Sequence, residues 1–258
     1  MDLLHALFLG LIQGLTEFLP VSSSGHLVIF QNFLGITGGA LTFDVFLHLG
    51  TLLSILLVFR DDILDLLTGF PGTIREITLL ILAVIPAGLA GILFKDFFTG
   101  FFASSRMVGW MLLITGAVLF IAEQRTTSSS GREEANLIDS LLIGIAQSLA
   151  ILPGISRSGF TLSAGLMRGL KRSYAARFSF LISIPTIGGA ALIEGMDALG
   201  KPPEVNWFLV AAGTLVAFIA GVFAIKVLLK FLEQGRLKAF AIYCWILGLF
   251  NIISGIIS

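Results

Sequence analysis

Two short stretches of this chain set acid, base and hydroxyl side chains at spacings suited to chemistry on a phosphate. The first is Gln13-Gly-Leu-Thr-Glu17-Phe-Leu-Pro20-Val-Ser22-Ser23-Ser24-Gly25-His26, and the second is Pro153-Gly154-Ile155-Ser156-Arg157-Ser158-Gly159-Phe160-Thr161. Gln13 and Glu17 are four residues apart and share one face of a helix. Pro20 ends that helix, and the serines after it start another. Serine is a favoured helix N-cap, and the first turn it caps leaves amide N–H groups that bind anions. His26 follows Ser23 by three residues and Ser22 by four, within one turn of either hydroxyl. That pairing puts a nucleophile beside a base, with Glu17 free to orient the imidazole or hold a cation. In the second stretch Pro153-Gly154 breaks a helix and Ser156 restarts it. Arg157 offers a planar fork that matches phosphate oxygens, and Thr161, four residues on, shares its face. Two helix N-termini, one arginine and a row of hydroxyls describe a receptor for a multiply charged phosphate group.

Plainer roles exist for the same residues. Gln13 can simply bridge helices, Ser24 can be a packing residue, and Glu17 with Arg157 can form a purely structural ion pair. His48 follows Asp44 by four residues and either lines the entrance of the site or sits at an interface; His5 reads as interfacial.

The elements that must hold these groups are apolar. Hydrophobic residues make up 56% of the 258-residue chain and charged residues 12%, with a mean hydropathy of +0.99. A soluble domain carries about 25% charged residues, so the composition is that of an all-α integral membrane protein. At membrane depth each unpaired polar group costs several kcal/mol, which makes intramembrane ionisable residues functional by default. The formal net charge is zero, which gives no field for nucleic acid. Cys244 is the single cysteine and forms no internal disulfide. The N-terminus lacks the basic flank of a signal peptide, so no cleavage is expected.

A polar segment over 123–136 divides the chain into halves, 1–122 and 137–258. The first half reads as short helices over about 3–19 and 23–35, then spans near 43–60, 76–95 and 105–123. The second reads as short helices over about 137–152 and 157–169, then spans near 174–195, 206–231 and 238–257. Gly10-x-x-Gln13 recurs as Gly144-x-x-Gln147, and Leu19-Pro20 as Leu152-Pro153. Interrupted apolar segments at matching places in two halves point to a central site. Each pair of short helices fits a re-entrant hairpin. Each half then crosses three times, about ten helices in all, and the second repeat is inverted relative to the first. Under that topology twelve basic residues (Arg60, Arg75, Arg125, Arg132, Arg168, Lys171, Arg172, Arg177, Lys226, Lys230, Arg236 and Lys238) lie on one side. Lys95, Arg106 and Lys201 lie on the other. The crowded side is cytoplasmic by the positive-inside rule, and the termini and first hairpin face outward. Counting each hairpin as a double crossing gives the same sides.

On Gln13 to Glu17, Pro20 to His26 and Pro153 to Thr161, the chain resembles the undecaprenyl pyrophosphate phosphatase family, also named for bacitracin resistance. That family carries a Glu/Gln-x-x-x-Glu pattern, a Pro-Val-Ser-Ser-x-Gly-His segment and a Pro-Gly-x-Ser-Arg-Ser-x-x-Thr motif. Length, central linker and helix pattern agree as well. The resemblance implies hydrolysis of a C55 polyprenyl pyrophosphate to the monophosphate, which recycles the lipid carrier of cell-wall synthesis. It implies Glu17, Ser23, His26 and Arg157 as the catalytic set. Gln13, Ser22, Ser24, Ser156, Ser158 and Thr161 would surround the diphosphate. It further implies a divalent cation, Mg²⁺ or Ca²⁺, on Glu17, and an outward-facing site in the cytoplasmic membrane. The first position here is Gln13 rather than Glu, which puts more weight on Glu17. Ser23 would attack phosphorus with His26 taking its proton; a metal-activated water with Ser23 as ligand or donor fits the residues equally. A lipid-phosphate or anion carrier on the same architecture is the competing function. The Ser23–His26 pair separates the two, because a carrier needs anion donors but no nucleophile beside a base.

Overall fold

In a computed structural model, residues 1–36, 40–94, 97, 105–126, 131–198 and 206–257 are described. They form eleven helices and no strand. In chain order these are α1 (Leu3–Phe18), α2 (Ser23–Phe33), α3 (Ala40–Val58), α4 (Arg60–Thr68), α5 (Ile74–Leu93), α6 (Ser105–Arg125), α7 (Leu137–Leu149), α8 (Arg157–Met167), α9 (Arg172–Ala198), α10 (Trp207–Glu233) and α11 (Leu237–Ile257). Lys95, Lys201 and the centre of the polar linker, 127–130, lie outside the described residues.

Five helices (α5, α6, α9, α10 and α11) are long and apolar enough to cross a bilayer; α3 and α4 together make a sixth, bent by 68°. The sequence predicts a span near 43–60 and no helix between it and the span near 76, where the structure has α4. Arg60-Asp61-Asp62 puts acidic residues in the first turn of α4, which favours starting a new helix there. Large side chains such as Ile85, Leu89, Ile92, Phe223, Ile246 and Phe250 are exposed. That outward apolar surface has the bilayer as its solvent, so the chain is a multi-pass membrane protein.

The other helices are too short to cross. At about 1.5 Å per residue, the 16 residues of α1 span roughly 24 Å and the 11 of α2 roughly 16 Å, against a core of about 30 Å. The α1 and α7 helices pack one face on the long helices and leave the other exposed, as at Leu4, Leu11, Leu137, Ile138 and Leu141. The α1 helix packs along α10, and α7 packs along α5; α10 also runs beside α3, and α6 pairs with α11. Close approach at glycine makes the first two contacts. A Cβ on Gly10 would meet the Gly213 carbonyl oxygen at 2.4 Å, and one on Gly14 the Ala217 oxygen at 2.5 Å. The counterpart in the other half, Gly144, would meet the Ala83 oxygen at 2.7 Å. Small residues spaced by four let membrane helices touch backbone to backbone. Gln13 and Glu17 lie on the same face of α1 as Gly10 and Gly14, so this docking fixes their position.

One end of the bundle is ionic. Arg177 binds Asp62 and Glu76, Arg172 binds Glu123, Arg75 binds Glu134, and Lys171 binds Glu133. Asp139, wholly buried, accepts from Arg132 at 2.7 Å and Arg168 at 2.8 Å. Its hydrogen bond holds the Arg132 guanidinium above the ordinary arginine value. Asp139 also closes a capping box with Asn136 at the start of α7. The stretch 131–136 is therefore pinned: Arg132 N–H donates to the Gly169 carbonyl and Lys171 N–H to the Arg132 carbonyl, each at 2.9 Å.

Candidate active site

Glu17 is the centre of the site. Its buried carboxylate accepts from Arg157 Nη2 through Oε1 at 2.5 Å. Through Oε2 it accepts from Ser23 Oγ at 2.5 Å and Gln13 Nε2 at 3.0 Å. Phe18, the next residue, is fully buried against Phe180 and anchors the end of α1 beneath the carboxylate. Further hydrogen bonds from Ser23 and Gln13 satisfy the carboxylate of this dry ion pair, while the guanidinium side is left incomplete. Arg157 Nη1 and Gln13 Oε1 are both buried without a hydrogen-bond partner among the described residues. A free guanidinium nitrogen and a free amide oxygen beside one carboxylate leave a donor and an acceptor for a ligand.

The two chain breaks face each other. Leu19 is extended, Pro20 ends α1, and Ser22 takes φ 69° before α2 begins. Gly154 takes φ 96° before α8 begins, and a Cβ there would meet the Val108 carbonyl oxygen at 2.5 Å. Ser22 Oγ accepts from Gly25 N–H at 3.2 Å and from Gly154 N–H at 3.1 Å, joining the breaks through one oxygen. Thr115 of α6 braces the second break, donating to the Gly154 carbonyl at 2.9 Å and accepting from Ser156 N–H at 3.1 Å. The starts of α2 and α8 are thus brought together, with Arg157 as the first residue of α8.

The remaining hydroxyls are committed to the backbone or to each other rather than gathered around Glu17. Ser156 caps α8 by accepting from Gly159 N–H at 3.1 Å. Ser158 lies 3.2 Å from Ser156 Oγ and donates to the Leu19 carbonyl at 3.3 Å. Thr161 donates to the Arg157 carbonyl at 2.9 Å and meets Ser179 Oγ at 2.5 Å. Ser24 reaches only Ser22, at 3.4 Å. In this geometry they build the walls of the two breaks.

His26 departs from expectation. Its Nδ1 meets the Ser22 carbonyl oxygen at 2.7 Å and its Nε2 meets Tyr243 Oη at 2.8 Å, so neither ring nitrogen is left for Ser23. Ser23 has Glu17 as its acceptor instead. The cause is local: His26 points back along α2, toward its own N-cap, while Ser23 points across to α1. His48, by contrast, does join the site. Its Nε2 stands 3.8 Å from Glu17 Oε2, and its Nδ1 bonds the Asp44 carbonyl oxygen at 2.8 Å. Tyr243 and Thr115 carry no signal in the sequence, since each sits in a long apolar run far from either motif.

The geometry matches what similar proteins are named for. Residues 6–250 match the family described as Bacitracin resistance protein BacA. A protein of Halothermothrix orenii named Undecaprenyl-diphosphatase is 49% identical over 255 residues, covering 98% of each chain. Proteins of the same name from Carboxydothermus hydrogenoformans and Methanobrevibacter smithii are 43% and 40% identical, with 95% or more of each chain covered. Similarity that runs nearly from end to end, through both interrupted hairpins and their polar motifs, places this chain in the BacA family.

Proposed function

We propose that this chain is an undecaprenyl-diphosphatase, an acid anhydride hydrolase that converts a polyprenyl diphosphate to its monophosphate and inorganic phosphate, recycling a lipid carrier. The observation that carries this reading is the Ser23–Glu17–Arg157 relay between the starts of α2 and α8. A hydroxyl already donating to a carboxylate is a nucleophile with its base in place. Ser23 Oγ attacks the terminal phosphorus and its proton passes to Glu17. The bond to the bridging oxygen breaks, and the polyprenyl monophosphate leaves. Arg157, with Nη1 unpartnered, takes the phosphoryl oxygens, and the first turns of α2 and α8 add their dipoles where charge is spread in the transition state. Glu17 hands the Ser23 proton to the departing bridging oxygen. Water then attacks the phosphoserine, Glu17 takes the water's proton and passes it to Ser23 Oγ, and inorganic phosphate leaves. The Ser23–Glu17 hydrogen bond favours serine over water as the nucleophile, and with both His26 nitrogens engaged elsewhere it favours Glu17 over His26 as the base.

A divalent cation belongs to the same reading. Among the described residues no group of three or more His, Cys, Asp and Glu gathers to hold a metal. The donors present, Glu17 and the unpartnered Gln13 Oε1, suit a hard cation whose other ligands are diphosphate oxygens, as Mg²⁺ sites usually are. Bound there, the ion would neutralise diphosphate charge. The relatives' names support hydrolysis over carriage. The charge asymmetry of the sequence supports a cytoplasmic-membrane location, inverted repeats and an outward-facing site. The apolar outer surface supports a polyprenyl tail lying between helices in the bilayer.

The test is phosphate release from farnesyl or undecaprenyl pyrophosphate by purified protein in detergent, with and without EDTA, beside Arg157→Ala and Ser23→Ala. Metal-dependent release is expected, reduced by about 100-fold or more in both variants. Activity retained in Ser23→Ala would move the nucleophile to water, and no release from folded protein with Mg²⁺ or Ca²⁺ would overturn the enzyme reading.

A further inference from the structure

Ser22 is the only non-glycine among the described residues with a positive φ, and it immediately precedes the nucleophile. A side chain in that region is strained and persists only where its surroundings fix it. Backbone and side-chain contacts do so: Ser22 Oγ accepts from two N–H groups, and the Ser22 carbonyl accepts from the His26 backbone N–H at 3.2 Å as well as from His26 Nδ1 at 2.7 Å. A carbonyl oxygen only accepts, so Nδ1 carries the proton. In the neutral ring Nε2 is then an acceptor, and the group facing it at 2.8 Å is the hydroxyl of Tyr243. The two rings lie parallel within 4°, with centroids 5.7 Å apart. A chain of hydrogen bonds therefore runs from α11, at the far end of the sequence, through His26 to the Ser22 backbone and on to Gly25 and Gly154.

We propose that Tyr243 is a positioning residue of this active site. Its hydroxyl fixes the tilt of His26, whose tautomer the Ser22 carbonyl sets, and His26 in turn helps hold Ser22 in the strained conformation that aims Ser23 at Glu17. His26 acts here as a strut rather than as the base. The hydroxyl can donate to the neutral ring and accept from the charged one, so the strut survives either state of the imidazole. The inference rests on the phosphatase reading for its kinetic consequence, but the contact itself can be tested independently.

Tyr243→Phe deletes only the hydroxyl and keeps the ring against His26. Phosphate release should show kcat down by about tenfold with KM within about twofold, because aim rather than substrate binding is lost. The thermal unfolding temperature should fall modestly, since buried His26 Nε2 loses its partner, and kcat should fall by more than the folded fraction explains. An unchanged kcat in folded Tyr243→Phe would overturn the proposal. A spectroscopic arm covers poor folding of that variant. The chain has two tyrosines, so 3-fluorotyrosine incorporated in a Tyr174→Phe background reports on Tyr243 alone. Its ¹⁹F resonance should move in His26→Ala; no movement would also overturn the proposal. Were the parent protein to release no phosphate while the resonance still moved, the strut would stand and the phosphatase reading would fall.

Discussion

Glu17, Ser22 and Ser23 sit within six residues of each other and do different work. Ser23 spends its hydroxyl on a carboxylate, which is reactive chemistry, while Ser22 gives its oxygen to two backbone N–H groups, which is construction. Ser22→Ala leaves two buried donors unmet, at about 1–3 kcal/mol each. It should therefore lower the unfolding temperature in detergent markedly. Ser23→Ala should leave that temperature nearly unchanged and abolish turnover. Equal thermal behaviour of the two variants would refute the division. The motif itself was legible in the sequence because polar residues in apolar runs announce themselves. The division of labour was not, because adjacent serines on a helix start look alike until the partner across the break is known. The expected Ser23–His26 pair failed for the same reason: the hydroxyl that claims Nε2 is 217 residues away on α11. His48, equally ambiguous as a letter, becomes a site residue only when α3 lies against α1.

At the scale of elements, glycine placement does what charge cannot. Gly10 and Gly14 let α1 settle on α10, and Gln13 and Glu17 ride on the same face. A Cβ at Gly14 would also meet Ala220 Cβ at 2.6 Å, so neither backbone nor side chain can give way there. Gly14→Val should push α1 outward, lower stability by about 1–3 kcal/mol through overpacking, and reduce phosphate release by more than the folded fraction explains. Unfolding measurements beside kcat separate those effects; normal turnover in a destabilised variant would refute the coupling. The short helices were legible from their prolines and serine restarts, with α1 ending at Phe18 against an expected 19 and α7 at Leu149 against 152. The α4 helix was missed because its nine residues mix charge and leucine too briefly to show a period.

For the whole molecule, the ionic end and the site end make orientation testable. Cys244 is fully buried, so it gives little labelling background. Single cysteines replacing Glu134, whose side chain is 72% exposed, and Asp2, 65% exposed, mark opposite sides of the proposed topology. A membrane-impermeant maleimide added to intact cells should label Asp2→Cys and spare Glu134→Cys until the cells are opened. The reverse pattern would overturn an outward-facing site. Membrane class was legible because hydropathy is a sum over many residues, while the helix count fell short at α4. The way the halves interlock was not, since it depends on which small residues meet.

That interlocking has a consequence for synthesis. Glu17 and Arg157 are 140 residues apart in sequence, yet each is the other's counter-charge. At about 5–20 residues per second on the ribosome, roughly 7–28 s separate the emergence of the acid from that of its partner. During that interval α1 also lacks α10, the helix it docks on. A nascent chain carrying a bare carboxylate on a helix too short to cross must wait at the bilayer surface or in the shelter of the insertion machinery. The α1 helix therefore reaches its final contacts only once α10 has been made, and shortening the chain to before α10 should leave the earliest-made helix the least settled.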